Sequence, residues 1–106
     1  MRYVIGRMSV RSGTRTEFLA KAAGYISASR ADKGCVYFEI APVPDRADDL
    51  IMIEGWETEG DHKAHQASDY AKAFGSIGGA YLLRGDFQEM NVDKAEQVSF
   101  DLSKHG

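Results

Sequence analysis

Residues 50–74, LIMIEGWETEGDHKAHQASDYAKAF, place a largely apolar run directly before a polar segment typical of a helix. The run reaches Trp56 and is apolar on both faces, as expected of a strand buried within a sheet. The polar segment carries His62 and His65, three residues apart. A large ring and an imidazole therefore meet at a strand-to-helix connection, where open sheets often form ligand pockets.

The sequence on either side predicts three more strands and one more helix. Thr14 and Glu17 form a capping-box pattern at a helix start, and Ser68 is a further candidate cap. Two prolines in residues 42–48 predict a hairpin loop, and Gly78-Gly79 predicts the end of the helical region. The expected elements are strands over 3–10, 35–41, 49–57 and 86–94, with helices over 15–30, 58–66 and 68–77.

This β-α-β-β-α-β order predicts an α+β fold, the ferredoxin-like split βαβ. In that fold the helices cover one face of a four-stranded antiparallel sheet. The whole chain, residues 1–106, is expected to form a single domain, because its length leaves no room for a second core. Val98, Phe100 and Leu102 alternate with polar residues, so residues 95–106 are expected to add a terminal strand or arm.

The second and third strands carry apolar residues on both faces, whereas the helices can cover only one. The uncovered face would expose a larger apolar patch than monomers usually tolerate. The sequence therefore predicts a homodimer that packs sheet against sheet, with the arm over 98–102 reaching toward the partner.

The composition limits the possible partners. The chain has 43% hydrophobic and 27% charged residues, as in an ordinary globular protein, and a formal net charge of −3. The negative charge argues against nucleic-acid binding, and no apolar run reaches the ~18 residues of a membrane span. The single cysteine, Cys35, excludes an internal disulfide. With no export signal evident, we expect a cytoplasmic location.

No cofactor or metal is predicted. His62 and His65 could share one face of a helix and bind a metal, but the spacing fixes no further ligand. The sequence also lacks a dinucleotide-binding loop, a P-loop and a CxxC pair.

Trp56 and His65 are the central candidate site residues. Trp56 alone is more typical of a core residue, and His65 alone fits a helix surface as well as a catalytic base. Their joint placement favours a site. Three aromatic residues could form apolar walls of the site or simply pack in the core: Tyr37, Tyr70 and Phe74. Arg84 could contact an anionic oxygen or be a solvated surface cation.

The same segment resembles the antibiotic-biosynthesis monooxygenase family. The family pattern is an apolar strand that ends in Glu-x-Trp-Glu, then a helix with Ala-His and an aromatic segment. Its counterparts here are Glu54-Gly55-Trp56-Glu57, Ala64-His65, Ser68-Asp69-Tyr70 and Ala73-Phe74, with Gly34-Cys35 before the second strand. The resemblance covers about residues 3–92, and Glu89-Met90-Asn91 is similar to the bacterial quinol-monooxygenase branch.

The resemblance implies a dimeric α+β barrel that inserts oxygen into phenols or quinols without flavin, haem or metal. It implies His65 as the base that makes a phenolate, and Trp56 as a wall or indole donor. His62 or Arg84 would be a secondary donor to the growing oxyanion.

Three positions depart from relatives of known chemistry. Met52 stands where some phenol-oxidising members have asparagine, and Gly6 and Gly75 stand where the haem-degrading branch has asparagine and histidine. Haem degradation is therefore not expected. The sequence predicts a cofactor-independent monooxygenase that oxidises a small quinol or polyphenol with O2. The alternative is an isomerase or a small-molecule-binding protein on the same fold.

Overall fold

A computed structural model describes residues 1–103, which form a four-stranded antiparallel sheet and three helices. In chain order the elements are β1 (Arg2–Val10), α1 (Arg15–Arg30), β2 (Cys35–Pro42), β3 (Asp49–Trp56), α2 (Glu59–Gln66), α3 (Asp69–Tyr81) and β4 (Leu82–Asn91). The strand order across the sheet is β2-β3-β1-β4. The predicted α+β, ferredoxin-like fold is therefore confirmed.

The hydrophobic core lies between the helices and one face of the sheet. Alternation along each strand sends every second side chain to that face. The buried core residues are Met8 and Val10 from β1, Phe38 and Ile40 from β2, Leu50 and Trp56 from β3, and Phe18 and Ala22 from α1. We call this the helix face of the sheet.

The opposite face of the sheet, here called the open face, is covered by none of the three helices formed within residues 1–103. Ile5 pairs with Ile53 on one side and with Gln88 on the other, and Ile53 also pairs with Glu39. Residues paired across a sheet share a face, and these side chains alternate with the helix-face residues. Ile5 is 44% exposed and Tyr37 is 47% exposed. The open face thus presents apolar side chains that the helices of the same chain do not cover.

The predicted bounds of α1 are confirmed, but its predicted capping box does not form. The Thr14 hydroxyl donates to the carbonyl oxygen of Arg11 at 2.7 Å and accepts nothing from the first helical turn. Thr14 has φ −106° and ψ 1°, whereas a capping residue is usually extended. The preceding turn therefore holds the hydroxyl away from the helix. Ser68 does cap its helix, because its Oγ accepts the N–H of Ala71 at 3.3 Å.

The predicted helix end at Gly78-Gly79 is wrong, because α3 continues to Tyr81. Tertiary contacts hold this last turn: the Tyr81 ring lies 5.8 Å from the Phe18 ring, and its carbonyl accepts the N–H of Arg11. Packing of this kind overrides the weak helix propensity of glycine. As a consequence β4 begins at Leu82, four residues before the predicted start, and ends at Asn91 rather than at residue 94.

Residues 92–103 form no strand or helix. Of the two forms expected for residues 95–106, a strand or an arm, the strand is not formed within residues 95–103, where Val98 and Phe100 are each 85% exposed. Residues 104–106 of the predicted arm lie outside the described residues. Within residues 1–103, none of the helices has both the length and the apolar character needed to cross a bilayer.

Candidate functional site

Trp56 and Glu54 are the buried β3 residues at the site. Both project from β3 to the helix face, because they are two residues apart on a strand. Trp56 is fully buried, and Glu54 is 5% exposed. The Trp56 indole N–H donates to Glu54 Oε1 at 3.0 Å. Trp56 therefore packs against the site residues His62 and His65 without lining the cavity, and its N–H is already bound to a carboxyl group of the protein.

His62 packs on this pair from α2. Its ring stacks on Trp56 with centroids 5.9 Å apart, and its Nε2 lies 3.7 Å from Glu54 Oε1. Its Nδ1 accepts the Nε–H of Arg2 at 3.2 Å. An arginine Nε always carries its proton, so Nδ1 is unprotonated and the proton of neutral His62 faces Glu54. Burial and the charge of Arg2 lower the pKa of His62, which favours this neutral form.

Arg2 links the buried histidine to the surface. Its Nη2 pairs with Glu89 Oε2 at 2.8 Å, its Nη1 donates to Asn91 Oδ1 at 3.2 Å, and Glu59 Oε1 lies 3.5 Å away. These contacts tie β1 to β4 and to α2. They also compensate the charge of a largely buried guanidinium, as buried charges require. His62 is thus an internal link of a network, with both ring nitrogens facing protein groups.

His65 is the centre of a second hydrogen-bonded chain. It is 4% exposed, and its ring lies 4.7 Å from the Trp56 ring. Its Nδ1 lies 3.0 Å from Asp32 Oδ2 and 3.1 Å from the Tyr70 hydroxyl, and its Nε2 lies 3.1 Å from the Tyr25 hydroxyl. An ionised carboxylate only accepts hydrogen bonds, so we assign the proton to Nδ1. Nε2 is then the acceptor of the Tyr25 O–H.

Two features position this chain. Asp32 lies in the turn after α1, and Gly34, with φ +79°, lets that turn pass close to Asp61 of α2. The Tyr25 ring stacks on Phe74 with centroids 4.0 Å apart and an interplanar angle of 2°. Burial, with a further contribution from Glu54, raises the pKa of the Tyr25 phenol far above its usual range. Tyr25 therefore stays protonated at neutral pH and donates to His65.

The two chains border one small cavity, here called the inner cavity. It has a volume of about 280 Å³ and is lined by Tyr25, Glu54, His62, His65, Gln66 and Ala71. Burial raises the pKa of Glu54, although the Trp56 N–H and the charge of His65 oppose the shift. The cavity thus has a tyrosine–histidine pair on one wall and a carboxyl group on another, which is an arrangement suited to acid–base chemistry.

The structure brings together most, but not all, of the candidate residues from the sequence. Trp56 contacts both His62 and His65, His65 contacts Tyr70, and Phe74 supports this group through Tyr25. Tyr37 and Arg84 do not join them, because both lie on the open face.

Strand register explains the separation of these two residues. Tyr37 pairs with Gly55, one residue away from Glu54 and Trp56, and therefore points to the opposite side. Arg84 pairs with Ser9, is exposed and forms an ion pair with Asp86 at 2.9 Å. It borders a depression of about 520 Å³ on the open face. Neither residue can line the inner cavity.

Sequence reasoning missed Tyr25, Asp32, Glu54 and Arg2 as site residues. A signal existed for Glu54, because it is an acidic residue that follows the apolar run Leu50–Ile53 and lies two residues before Trp56, on the same face of the strand. No local signal marks Asp32 or Tyr25, since their roles arise only when α1 packs beside α2. Among residues 1–103, no group of three or more His, Cys, Asp or Glu side chains is arranged to hold a metal ion.

Comparison with known proteins identifies relatives of this chain. A family model described as antibiotic biosynthesis monooxygenase matches residues 1–76, which include Glu54, Trp56 and both buried histidines. No functionally curated protein matches the sequence significantly.

Solved structures share the fold at low sequence identity. A candidate antibiotic biosynthesis monooxygenase from Nitrosomonas europaea has a TM-score of 0.81 and 16% identity, covering 89% of this chain and 100% of its own. One from Deinococcus radiodurans has a TM-score of 0.79 and 14% identity, covering 94% and 100%. The protein Rv0793 from Mycobacterium tuberculosis has a TM-score of 0.77 and 22% identity, covering 90% and 98%.

Proposed function

The chain belongs to the antibiotic biosynthesis monooxygenase family, and from this premise we propose that it oxidises a small quinol or polyphenol with O2, without a cofactor. The observation that carries the proposal is the Asp32–His65–Tyr25 chain at the wall of the inner cavity. A buried histidine, oriented by a carboxylate and facing a cavity through a phenol, is suited to remove a proton from a bound hydroxyl group.

The first step is proton removal from the substrate. A substrate hydroxyl bound to the Tyr25 oxygen passes its proton to Tyr25, while Tyr25 passes its own proton to His65 Nε2. The two transfers occur together, since the raised pKa of Tyr25 disfavours a free tyrosinate. Asp32 accepts the Nδ1 proton in a hydrogen bond and stabilises the imidazolium that forms. The product of this step is an electron-rich phenolate.

The second step is the reaction with O2. The phenolate gives one electron to O2, and the resulting superoxide and aryloxyl radical combine at a ring carbon. The proton on His65 returns to the peroxide oxygen, and the hydroperoxide then loses water to leave a quinone. One phenol and one O2 thus yield one quinone and one water. Trp56 and Tyr70 pack against His65, and Phe74 packs against Tyr25, so these rings hold the proton-transfer groups in place. His62 contacts Glu54 and Trp56.

Oxygen-electrode measurements on purified, colourless protein test this proposal. With a panel of quinols and EDTA present, we expect O2 uptake above the protein-free rate. We expect His65→Ala and Tyr25→Phe each to lower kcat roughly 10²-fold or more, because both remove proton transfer. Tyr25→Phe keeps the ring that stacks on Phe74, so its melting temperature should change little. Tyr37→Phe, on the open face, is the matched control and should keep full activity.

Two results would contradict the mechanism: complete loss of O2 uptake in EDTA, or full activity of His65→Ala. A different result would support the alternative function, an isomerase or small-molecule-binding protein. The Asp32–His65–Tyr25 chain can also move a proton to and from a carbon beside a carbonyl group, and that reaction requires no O2. Turnover or binding that continues unchanged under nitrogen would therefore favour this alternative.

The proposal includes a homodimer in the cytoplasm. The apolar side chains of the open face, including Ile5, Ile53 and Tyr37, support sheet-to-sheet packing of two chains. The exposed segment with Val98 and Phe100 offers further apolar surface for the partner. The cytoplasmic location rests on the single, unpaired Cys35.

A further inference from the structure

The inner cavity is polar, although the oxidation of a quinol would be served by an apolar pocket. Five of its six lining residues carry polar groups, and Ala71 is the exception. Its volume of about 280 Å³ lies near the lower limit of small-molecule sites, which is about 300 Å³. The cavity therefore suits a single substituted ring better than a fused ring system.

Glu54 has one carboxyl oxygen that the protein does not use. Oε1 accepts the Trp56 N–H and faces His62 Nε2. Within residues 1–103, Oε2 has no hydrogen-bond partner. Every fully buried side-chain oxygen or nitrogen in these residues has one, so Oε2 is not fully buried and borders accessible space. Since Glu54 is 95% buried as a residue and lines the inner cavity, the cavity is the space that Oε2 borders.

Tyr25 and Glu54 line the same small space from different elements, α1 and β3. They are close enough for the charge of Glu54 to raise the pKa of Tyr25. A ligand that contacts the Tyr25 hydroxyl with one polar group is thus within reach of Glu54 with another. Trp56 and His62 fix the carboxyl plane, so this second contact is preorganised.

We propose that Glu54 determines substrate specificity by binding a second hydroxyl group, so that the substrate is a single ring with at least two hydroxyls. One hydroxyl contacts Tyr25 and reacts through His65, and the other hydrogen-bonds Glu54 Oε2. This inference rests on the proposed function, since it names the substrate class of the same site. A buried polar group left unpaired is costly, so a ring with one hydroxyl binds less well.

Steady-state O2 uptake with a matched substrate series tests the inference. The series is phenol, resorcinol, hydroquinone and 1,4-naphthalenediol, each corrected for protein-free oxidation. We expect kcat/KM for the single-ring diols to exceed that for phenol by roughly 10²-fold or more, because a site built to bind a hydroxyl rejects the analogue without it. We expect the two-ring diol to be a poor substrate.

Substitution of Glu54 should change this preference and not only the rate. In Glu54→Leu the diol-to-phenol ratio of kcat/KM should fall close to one. Glu54→Gln, which keeps an acceptor for the Trp56 N–H, should retain part of the preference and guards against a folding defect in the leucine variant. Glu89→Gln is the matched control, since Glu89 contacts the same network through Arg2 but does not line the inner cavity. Its ratio should equal that of the wild type.

Binding under nitrogen separates this inference from the proposed oxidation. Trp56 is the only tryptophan, so its indole N–H gives one NMR signal beside Glu54. Resorcinol should shift that signal and bind at least about tenfold more tightly than phenol, a difference of about 1.4 kcal/mol. Binding with this preference but no O2 uptake would overturn the oxidation and support the role of Glu54. O2 uptake with an unchanged ratio in Glu54→Leu and Glu54→Gln would overturn the role of Glu54 alone.

Discussion

At the scale of single residues, the unusual feature is a carboxyl group beneath the helices. Glu54 lies on the helix face between its apolar cross-strand partners Val4 and Phe38, and its contacts are one indole N–H and one imidazole. Burial of a carboxylate is costly unless it is paired. An indole N–H and an imidazole stabilise a buried carboxylate less than an ion pair would. A residue that costs stability in this way is typical of a site rather than of a core.

This cost predicts a specific pH dependence of stability. Burial raises the pKa of Glu54, so the folded state resists its ionisation more than the unfolded state does. The stabilising contribution of the protonated form is complete below the ordinary glutamate pKa of about 4.3 and is lost as pH rises through the higher folded pKa. We therefore expect the free energy of unfolding of Glu54→Gln, minus that of the wild type, to increase as pH rises from acidic to neutral.

Urea unfolding at a series of pH values measures this difference. The other titratable or charged groups around Glu54 are Tyr25, Cys35, His62, His65, Arg2 and Glu89, and all remain in the variant. Glu89→Gln serves as the control for the loss of one negative charge near Arg2. A difference between wild type and Glu54→Gln that stays constant with pH would show that Glu54 ionises equally easily in both states.

At the scale of elements, α3 is a helix whose length is set by packing rather than by propensity. It contains Gly75, Gly78 and Gly79, yet it continues to Tyr81. A Cβ at Gly75 would meet no heavy atom within 4 Å, whereas a Cβ at Gly78 would lie 3.2 Å from Leu82 Cδ1. Both glycines are helical, so the two positions differ only in the room available for a Cβ atom.

We expect Gly75→Ala to raise the free energy of unfolding by about 0.5–1 kcal/mol, because alanine loses less conformational entropy in a helix than glycine. Gly78→Ala should give a smaller gain or a loss, since Leu82 must move to make room. Thermal and urea unfolding measure both changes. Equal gains at the two positions would mean that Leu82 moves freely and that the packing of this helix end is loose.

At the scale of the whole molecule, the two faces of the sheet differ in what covers them. Met52 lies on the helix face and packs against the core, whereas Ile53 lies on the open face. A lysine on the open face is tolerated in a monomer but opposes sheet-to-sheet packing. A lysine at Met52 instead places an unpaired charge against the core.

We expect Ile53→Lys to convert the proposed dimer to a folded monomer in light scattering, with secondary structure retained by circular dichroism. Met52→Lys should instead lower the free energy of unfolding by several kcal/mol, as expected when a buried site receives an unpaired charge. Stable interfaces usually bury ~800 Å² per subunit. A wild-type protein that scatters as a single 11.7 kDa species at micromolar concentration would contradict the dimer.

The sequence by itself determined the order of strands and helices, because the alternation and helical spacing of apolar residues are local signals. It also located Trp56, His62, His65 and Tyr70, which lie within one segment and reach the same space through short-range geometry. It failed where a local rule competed with packing. Thr14 lacks its cap because of the turn before it, and α3 crosses Gly78-Gly79 because Tyr81 packs on Phe18.

Only the tertiary structure decided which side of the sheet each strand residue faces, and what meets it there. In the sequence Tyr37 was a candidate wall residue like Tyr70, and Arg84 was a candidate anion contact, but strand register sends both to the open face. Asp32 and Tyr25 join His65 across 33 and 40 residues of chain. Such contacts depend on how α1 packs against α3 and the sheet, which brings Tyr25 and Asp32 to His65 of α2. No spacing along the chain encodes them, since their formation is a property of the folded core.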